Sequence, residues 1–489
     1  MAVRSLVWFR GKELRVTDHS PLAAATRQGE VIPLFVLDPY FFAPERARQL
    51  AGRMQFLLEA LSELDQSIAR LGSRLVIVAG KSTEVVPRLA ERWRVDRVMS
   101  QRWTEPFGRE RDRRIALALR VPFELHDGET LLPPETLRTA AGRPYEVFTP
   151  FARAFAARAN DVGAPVSPPS RLPSLPLEIT AADEACVPRP SDLGLVHNPH
   201  LVRGGEAAGR ERLRAFLDGP RLVYAEQRDR MDVAGTSRLG PDLKFGTMSP
   251  RTVWSALQSG SEPERASRST KVFQNQLIWR EFAHATLWDR PDVLKRPFRR
   301  EFSGFPWRDD EGDWRAWAEG TTGYPIVDAS ARQLLGEGMV HNRARMVAAS
   351  FLAKHLMVDF RRGEAHYLRH LVDGDWANND MGWQWSAGCG CDAQPYFRIF
   401  NPTLQGERFD PEGVYVRRWV PELARLPSKF VHRPWEAPAG VLRVAGVVLG
   451  TTYPMPRVNH AAARLRFLEV ARQHLARRPR GADRENDGG

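Results

Sequence analysis

The sequence predicts an α/β N-terminal domain of Rossmann-like type with a mostly parallel sheet, followed by a domain built from helices alone. Three observations lead there. Short apolar runs alternate with helical periodicity in the first 133 residues, proline and serine crowd residues 134–200, and from residue 201 onward helical spacing meets no competing strand signal. At 489 residues the chain is too long for one simple core, so two or more domains are expected. The expected divisions are 1–133, a connector over 134–200, a helical domain over 201–476, and a charged, glycine-rich tail over 477–489 that is expected to be disordered.

Strands are expected over residues 5–9, 31–37, 74–79, 97–100 and 122–126, continuous apolar runs of the kind that marks strands covered on both faces. The clearest helix between them is 49–71, where Met54, Leu57, Leu58, Leu61, Leu64 and Ile68 recur at helical spacing. Parallel strands need crossover connections, and such helices supply them. No GxGxxG follows the first strand, so a dinucleotide bound in the usual Rossmann manner is not supported. In the connector, LLPPETL, PVSPPSRLPSLPLE and VPRPSD disfavour regular structure, apart from one helix over 148–159. Further helices are expected over 205–217, 249–257, 270–289, 326–336, 342–360, 363–371, 416–420 and 460–476. The last carries Leu465, Leu468 and Leu475 on one side and a row of arginines on the other.

Composition narrows the function classes. There is no run of eighteen apolar residues and no basic-then-apolar leader, which argues against a membrane span or secretion and makes the cytoplasm the expected location. Three cysteines (Cys186, Cys389, Cys391) are too few for a disulfide framework, make a poor zinc set and fall short of an iron–sulfur site, so no metal is expected. Lysine and arginine total 71 against 59 acidic residues, and the net charge of +12 predicts attraction to a polyanion, nucleic acid first. Eleven of the fourteen tryptophans lie after residue 250, which assigns the aromatic chemistry to the helical half.

The stretch 373–402, DGDWANNDMGWQWSAGCGCDAQPYFRIFNP, mixes residue types that a plain core or surface would separate. Asp373, Asp375 and Asp380, the amides Asn378 and Asn379, and Trp376, Trp383 and Trp385 stand together. Buried acids and amides need partners, and wide aromatics beside them suit a flat heteroaromatic guest. A loop with ordinary core tryptophans is the alternative. Thr236-Ser237-Arg238-Leu239-Gly240-Pro241 offers hydroxyls, free N–H groups and a cation, as either a phosphate cradle or a simple helix cap. Gln276, Trp279, Arg280 and Ala283 line one helical face, suited to stacking on a base while hydrogen-bonding its edge, or to core packing. Asn342, Arg345 and Met346 share another face; a buried arginine wants a carboxylate, and Asp373 or Asp375 are the interior choices. His341 reads as a helix cap, and Cys389 and Cys391 as small packing residues.

The sets TSRLGP, QLIWREF, TGYPIVDA, HNRARM, GWQW and DAQPYFRIFNP, in this order, resemble the photolyase/cryptochrome flavoproteins across nearly the whole chain, and class I cyclobutane pyrimidine dimer photolyases among them. The opening Trp8-Phe9-Arg10 through Leu14-Arg15 to Asp18 matches the family's first motif with one extra residue between Arg10 and Leu14. The resemblance implies an antenna-binding α/β domain, a helical FAD- and DNA-binding domain, and a monomer that acts on DNA containing pyrimidine dimers. The implied activity is light-dependent repair by electron transfer from excited reduced FAD to cyclobutane pyrimidine dimers. The alternatives are a cryptochrome-type blue-light receptor without repair activity, a (6-4) photolyase, and a DNA-binding flavoprotein with neither role.

Position by position, the resemblance implies that Tyr224, Thr236, Ser237, Arg238 and Leu239 hold the FAD phosphates, with Gly240 where many relatives have serine. Arg345 is implied to pair with Asp373 beside the flavin, Asp375 to contact its isoalloxazine or ribityl side, and Asn379 to face N5. Trp279, Asn342, Met346 and Trp385 match lesion contacts, and Arg343 and Arg398 are implied to run along the DNA strand. A second antenna chromophore, a folate or a deazaflavin, is implied near residues 103–112. Two departures stand out. Gln276 occupies the usual glutamate position, while Met346 argues for cyclobutane dimers because (6-4) photolyases carry histidine there. Trp383 and Trp307 match the inner and outer members of the photoreduction chain, but the middle member is Phe360, which predicts slow or rerouted photoreduction and favours repair over signalling.

Overall fold

A computed structural model of the chain describes residues 3–179, 184–258, 264–393 and 395–476; the tail over 477–489 lies outside the described residues. All five expected strands form: β1 (Val3–Phe9), β2 (Gly29–Leu37), β3 (Val76–Ala79), β4 (Arg97–Gln101) and β5 (Phe123–His126). They make one parallel sheet in the order β3-β2-β1-β4-β5. The central strand β1 pairs on both edges, with Leu6 opposite Ile32 on one side and Val98 on the other. Its side chains alternate between two cores: Val7 and Phe9 pack with Leu57 and Leu61, and Leu6 and Trp8 with Val86 and Leu89. This is why β1 to β4 read as apolar runs, whereas the edge strand β5, FELH, alternates and leaves Leu125 exposed. Strand order reverses between β1 and β4, and in such sheets a crevice opens at the strands' carboxyl ends.

The expected helix over 49–71 is Ala51–Arg70, and all six of its periodic apolar residues are buried. The connector holds the helix Phe148–Ala157, whose Phe151 and Phe155 pack on Phe282 and Trp254 of the helical half, at ring separations of 5.0 and 5.4 Å. The two halves also share backbone bonds: Leu14 N–H donates to the Phe245 carbonyl at 3.2 Å, and Arg15 Nη1 donates to that of Gly246 at 2.9 Å.

Besides helices that were not expected, such as Glu311–Glu319 and Pro402–Phe409, four differences stand out in the helical half. The expected helix over 342–360 is broken. Asn342–Ser350 is α-helical, Phe351–Leu356 widens to a π-turn, and Met357 turns left-handed at φ 56°. The Met357 carbonyl accepts from Arg308 N–H at 2.8 Å and Asp359 N–H donates to Asp309 at 3.2 Å, so partners outside the helix take the groups that would have continued it. The chain restarts at Phe360 under the Asp359 cap and runs to His370, three residues ahead of the expected 363. Second, residues 376–387 of the mixed stretch are a helix, Trp376–Ala387, whose N-cap is Asp375. Third, the helix expected over 270–289 begins at Glu264. Fourth, the C-terminal helix His460–Ala476 buries Ala463, Phe467 and Ala471 at i, i+4 and i+8, while Leu465 is 63% exposed. Phe467, flanked by two alanines, is what docks, and of the leucine row Leu475 packs against the same core. Among the described residues no helix is long and apolar enough to cross a membrane.

Candidate functional site

Four helices enclose a cavity of about 330 Å³ in the helical half: Glu264–Asp289, Asn342–Ser350, Phe360–His370 and Trp376–Ala387. Gln276 and Trp279 line it from the first, Asn342, Arg345 and Met346 from the second, and Asn379 and Trp383 from the fourth. Asp373 and Asp375 close one end beside Gly240.

The arginine finds the expected carboxylate. Arg345 Nη2 lies 3.0 and 2.8 Å from the two oxygens of Asp373, and its Nε donates to the Val340 carbonyl at 2.8 Å. Gly240 makes room for this pair: a Cβ there would press into the Asp373 carboxylate, with Asp373 Cβ at 3.0 Å and Cγ at 3.1 Å. Asp375 Oδ1 accepts from the Asn378 N–H at 3.0 Å and from its side chain at 2.8 Å. Burial alone would raise the Asp375 carboxyl, but the His284 imidazole and then Lys12, Lys244 and Arg280 around it hold it well below the usual range. Asn379 gives one amide N–H to the Glu364 carbonyl at 3.1 Å, and its oxygen accepts no bond among the described residues. Trp383 is buried against Gly363, where any Cβ would collide with the indole.

The remaining expected residues surround the cavity without lining it. Tyr224 is buried with Phe216 and Phe273, and burial pushes its hydroxyl up to about 12. Thr236, Ser237, Arg238 and Leu239 lead directly into Gly240; Ser237 Oγ accepts from Leu239 N–H at 3.4 Å, and Arg238 Nη2 lies 3.6 Å from Glu337. Arg343 pairs with Asp229 at 2.9 Å, its guanidinium lying over Phe409. Trp385 is half-buried and Arg398 exposed. Trp307 sits outside, 6.2 Å from Phe360 between ring centres. His341 is the expected cap, its Nδ1 accepting from Arg343 N–H at 3.2 Å. Sequence reasoning missed Lys244, which lines this cavity and the larger one, and Trp314 and Trp317, which extend from Trp383. For Lys244 no signal stood out, since a single lysine in a short helix looks like surface.

The larger cavity, about 560 Å³, opens at the carboxyl ends of the strands. Trp103, Glu105, Phe107 and Arg111 of the expected antenna segment line it, with Trp8 and Arg10 from β1 and its following loop. The Arg111 guanidinium lies 4.9 Å from the Trp8 ring and 4.3 Å from that of Trp103, a rigid aromatic and cationic wall suited to a planar anionic guest.

The smaller cavity fits a flavin. Its wall joins tryptophan faces, an amide with a free oxygen and a charged pair, and the glycine at its end keeps open a place that a side chain would fill. Comparison with known proteins agrees. Residues 5–173 match the family model for DNA photolyase, and residues 273–473 match that for the FAD binding domain of DNA photolyase. The deoxyribodipyrimidine photo-lyase of Agrobacterium fabrum is 40% identical over 471 residues, which cover 95% of this chain and 96% of that protein. The crystal structure of a bacterial class III photolyase from Agrobacterium tumefaciens matches with a TM-score of 0.89 at 38% identity, over 97% of this chain and 98% of that one. A Synechocystis cryptochrome structure matches with a TM-score of 0.87 at 30% identity, over 96% and 100%. Both family models match in order, the Agrobacterium fabrum relative matches over nearly the whole chain, and the chain belongs to the DNA photolyase/cryptochrome family of FAD-dependent proteins.

Proposed function

We propose that the 330 Å³ cavity is where this chain carries out light-dependent repair of cyclobutane pyrimidine dimers, with the flavin against the Asp373, Asp375 and Asn379 wall and the flipped-out lesion against Trp279, Met346 and Gln276. The observation that carries the reading is the junction of the Arg345–Asp373 pair, Asn379 and Trp383 on one wall with Trp279 and Met346 on the other. FAD, when bound and reduced, supplies the electron that splits the dimer. The protein's work is orientation and electrostatics. With one N–H of Asn379 given to Glu364, its oxygen is left to accept from a guest N–H, and a reduced flavin offers one at N5. Trp279 stacks on Phe148 at 3.7 Å with rings 6° apart, which fixes the plane it presents to a base.

Gln276 donates one N–H to the Val272 carbonyl at 3.2 Å, so its amide oxygen and its second N–H are the groups it can offer a pyrimidine edge. It supplies no charge. Tyr224 and Thr236 to Leu239 are assigned to the FAD phosphates, and Asn342, Arg343, Trp385 and Arg398 to the DNA. Residues 1–133 are assigned to the antenna domain, with a folate or deazaflavin in the 560 Å³ cavity, and 201–476 to the catalytic domain. We infer a cytoplasmic monomer. The test is to incubate reduced protein under blue light with oligonucleotides carrying cyclobutane dimers or (6-4) products and to quantify restored thymines. Loss of the cyclobutane dimer alone is expected, and no light-dependent loss of it would overturn the reading.

A further inference from the structure

The loop after β1 runs Gly11-Lys12-Glu13 between Arg10 and Leu14. In this loop Lys12, 3% exposed, reaches out of the α/β half into the helical half. Its Nζ lies 2.6 Å from Glu105 Oε1, in closer contact with Glu129, and 3.5 Å from Asp375 Oδ2. Glu105 lines the larger cavity and Asp375 the smaller, so one ammonium joins the walls of both. The loop cannot slide. Gly246, at φ 61°, approaches the Lys12 carbonyl so closely that any Cβ would collide with it.

Three carboxylates meet here, Glu105, Glu129 and Asp375, and three cations face them. Lys12 touches all three, Lys244 is 3.7 Å from Glu105, and Arg280 Nη1 donates to the Glu129 carbonyl at 2.7 Å. His284 bonds Thr104 Oγ1 through Nδ1 at 2.7 Å, and its Nε2, 3.6 Å from Asp375 Oδ1, makes no hydrogen bond among the described residues. Burial drives His284 down to about 4, so it is neutral at pH 7 and adds no charge. Glu129, His284 and Asp375 have a spacing that would admit a metal ion, but the Lys12 ammonium lies against both carboxylates. The cation of this cluster is built in. Without Lys12, three buried carboxylates would face two cations, one of which, Arg280, also lies 3.6 Å from the buried Glu281, and the unbalanced negative charge would lie at the cavity wall.

We propose that Lys12 is a positioning residue for the flavin: it holds Asp375 ionised and in place, and it cancels the negative charge that would otherwise oppose a reduced, anionic flavin in the adjoining cavity. The proposal rests on the reading that FAD occupies that cavity. Its direction follows from charge: removing the ammonium disfavours the reduced flavin, and removing one of its carboxylate partners favours it.

The test uses the FAD-bound protein and its Lys12→Met and Glu129→Gln variants, each titrated with dithionite beside a dye of known potential while the flavin absorption band is followed. Lys12→Met is expected to lower the ratio of reduced to oxidised flavin at fixed potential about tenfold, a fall of about 30 mV for a two-electron couple. Glu129→Gln is expected to move the midpoint upward. A purely structural role would lower the melting temperature of both variants and leave their potentials alike. Opposite shifts support the proposal, and equal potentials in flavin-loaded proteins overturn it. If Lys12→Met does not retain flavin, Glu129→Gln decides, and an unchanged or lowered potential overturns the proposal. A wild-type protein purified without flavin overturns the cavity reading instead, and the proposal with it.

Discussion

Trp317→Phe is expected to slow light-driven flavin reduction about tenfold, equivalent to about 1.4 kcal/mol of added barrier, while Trp307→Phe leaves it unchanged. The direct route from Trp383 to Trp307 meets Phe360, whose benzene ring gives up an electron far less readily than an indole. A second line of indoles leaves Trp383 in another direction. Trp317 meets it edge-on at 5.8 Å between ring centres and stacks on Trp314 at 5.6 Å and 28°. Trp317 is 2% exposed and donates its Nε1–H to the Ala348 carbonyl at 3.0 Å, which eases the positive charge it must carry in passing. Trp314 is half-buried under Arg362, whose charge is offset by Glu311 at 2.8 Å. Electrons balance along this line: Trp383 gives one inward, Trp317 refills Trp383, Trp314 refills Trp317, and a thiol in solution refills Trp314. Tyr367 also meets Trp383, at 5.1 Å, but oxidising a phenol requires losing its proton, and among the described residues its hydroxyl bonds Ser330, at 3.3 Å, and no carboxylate or histidine. Photoreduction is followed as loss of oxidised flavin absorbance under blue light with a thiol donor. Trp314→Phe should slow it as well, and Phe360→Trp should speed it by opening the direct route. A Trp317→Phe protein that reduces at the wild-type rate, or a Trp307→Phe protein that does not, would refute the detour.

Gly363→Ala should destabilise the fold by about 1–3 kcal/mol in urea denaturation, as overpacking does. The new methyl would press on Trp383 and lie 2.6 Å from Leu352 Cδ2, and unchanged stability would mean that the indole shifts freely. Lys354 is fully buried, donating to the Arg398 carbonyl at 3.0 Å, and burial lowers it from its ordinary 10.5 to about 7. Between pH 7 and 10 the unfolded chain therefore holds a proton that the native one has released, so native stability rises with pH. Compared with Lys354→Met, the wild type should gain up to about 1.4 kcal/mol per pH unit in that window and nothing below it. Equal slopes for the two proteins in urea denaturation at pH 7 and 9 would contradict this. Affinity for lesion DNA should fall steeply with salt, and Arg398→Ala should flatten the logarithmic slope by about one. An unaltered slope in a binding titration would remove Arg398 from the strand contact.

Legibility in the sequence followed what local pattern can encode. Strands β1 to β4 were readable because they are covered on both faces, so β1 needs apolar residues at every position from Leu6 to Phe9, whereas the edge strand β5 leaves Leu125 exposed. The Arg345–Asp373 pair was readable because a partly buried guanidinium needs a carboxylate and the mixed stretch that follows its helix holds Asp373 and Asp375. The Trp314–Trp317–Trp383 line was not, since each indole alone looks like core and only the fold sets the third beside the second. Lys12 was hidden in the same way, its partners Glu105, Glu129 and Asp375 being scattered along the chain.

The misread segment matters most for function. Apolar spacing runs unbroken through Leu352, Leu356 and Phe360, and that periodicity argues for one helix. What breaks it is competition for backbone groups, Arg308 taking the Met357 carbonyl and Asp309 the Asp359 N–H, which no periodicity records. The break lets a new helix begin at Phe360, and that start sets Phe360 beside Trp307 and Gly363 under Trp383. A continuous helix would hold neither residue there. The turn that defeated the periodic reading therefore also decides which aromatic ring stands between Trp383 and the surface, and with Phe360 in that place the route through Trp317 becomes the one that chemistry favours.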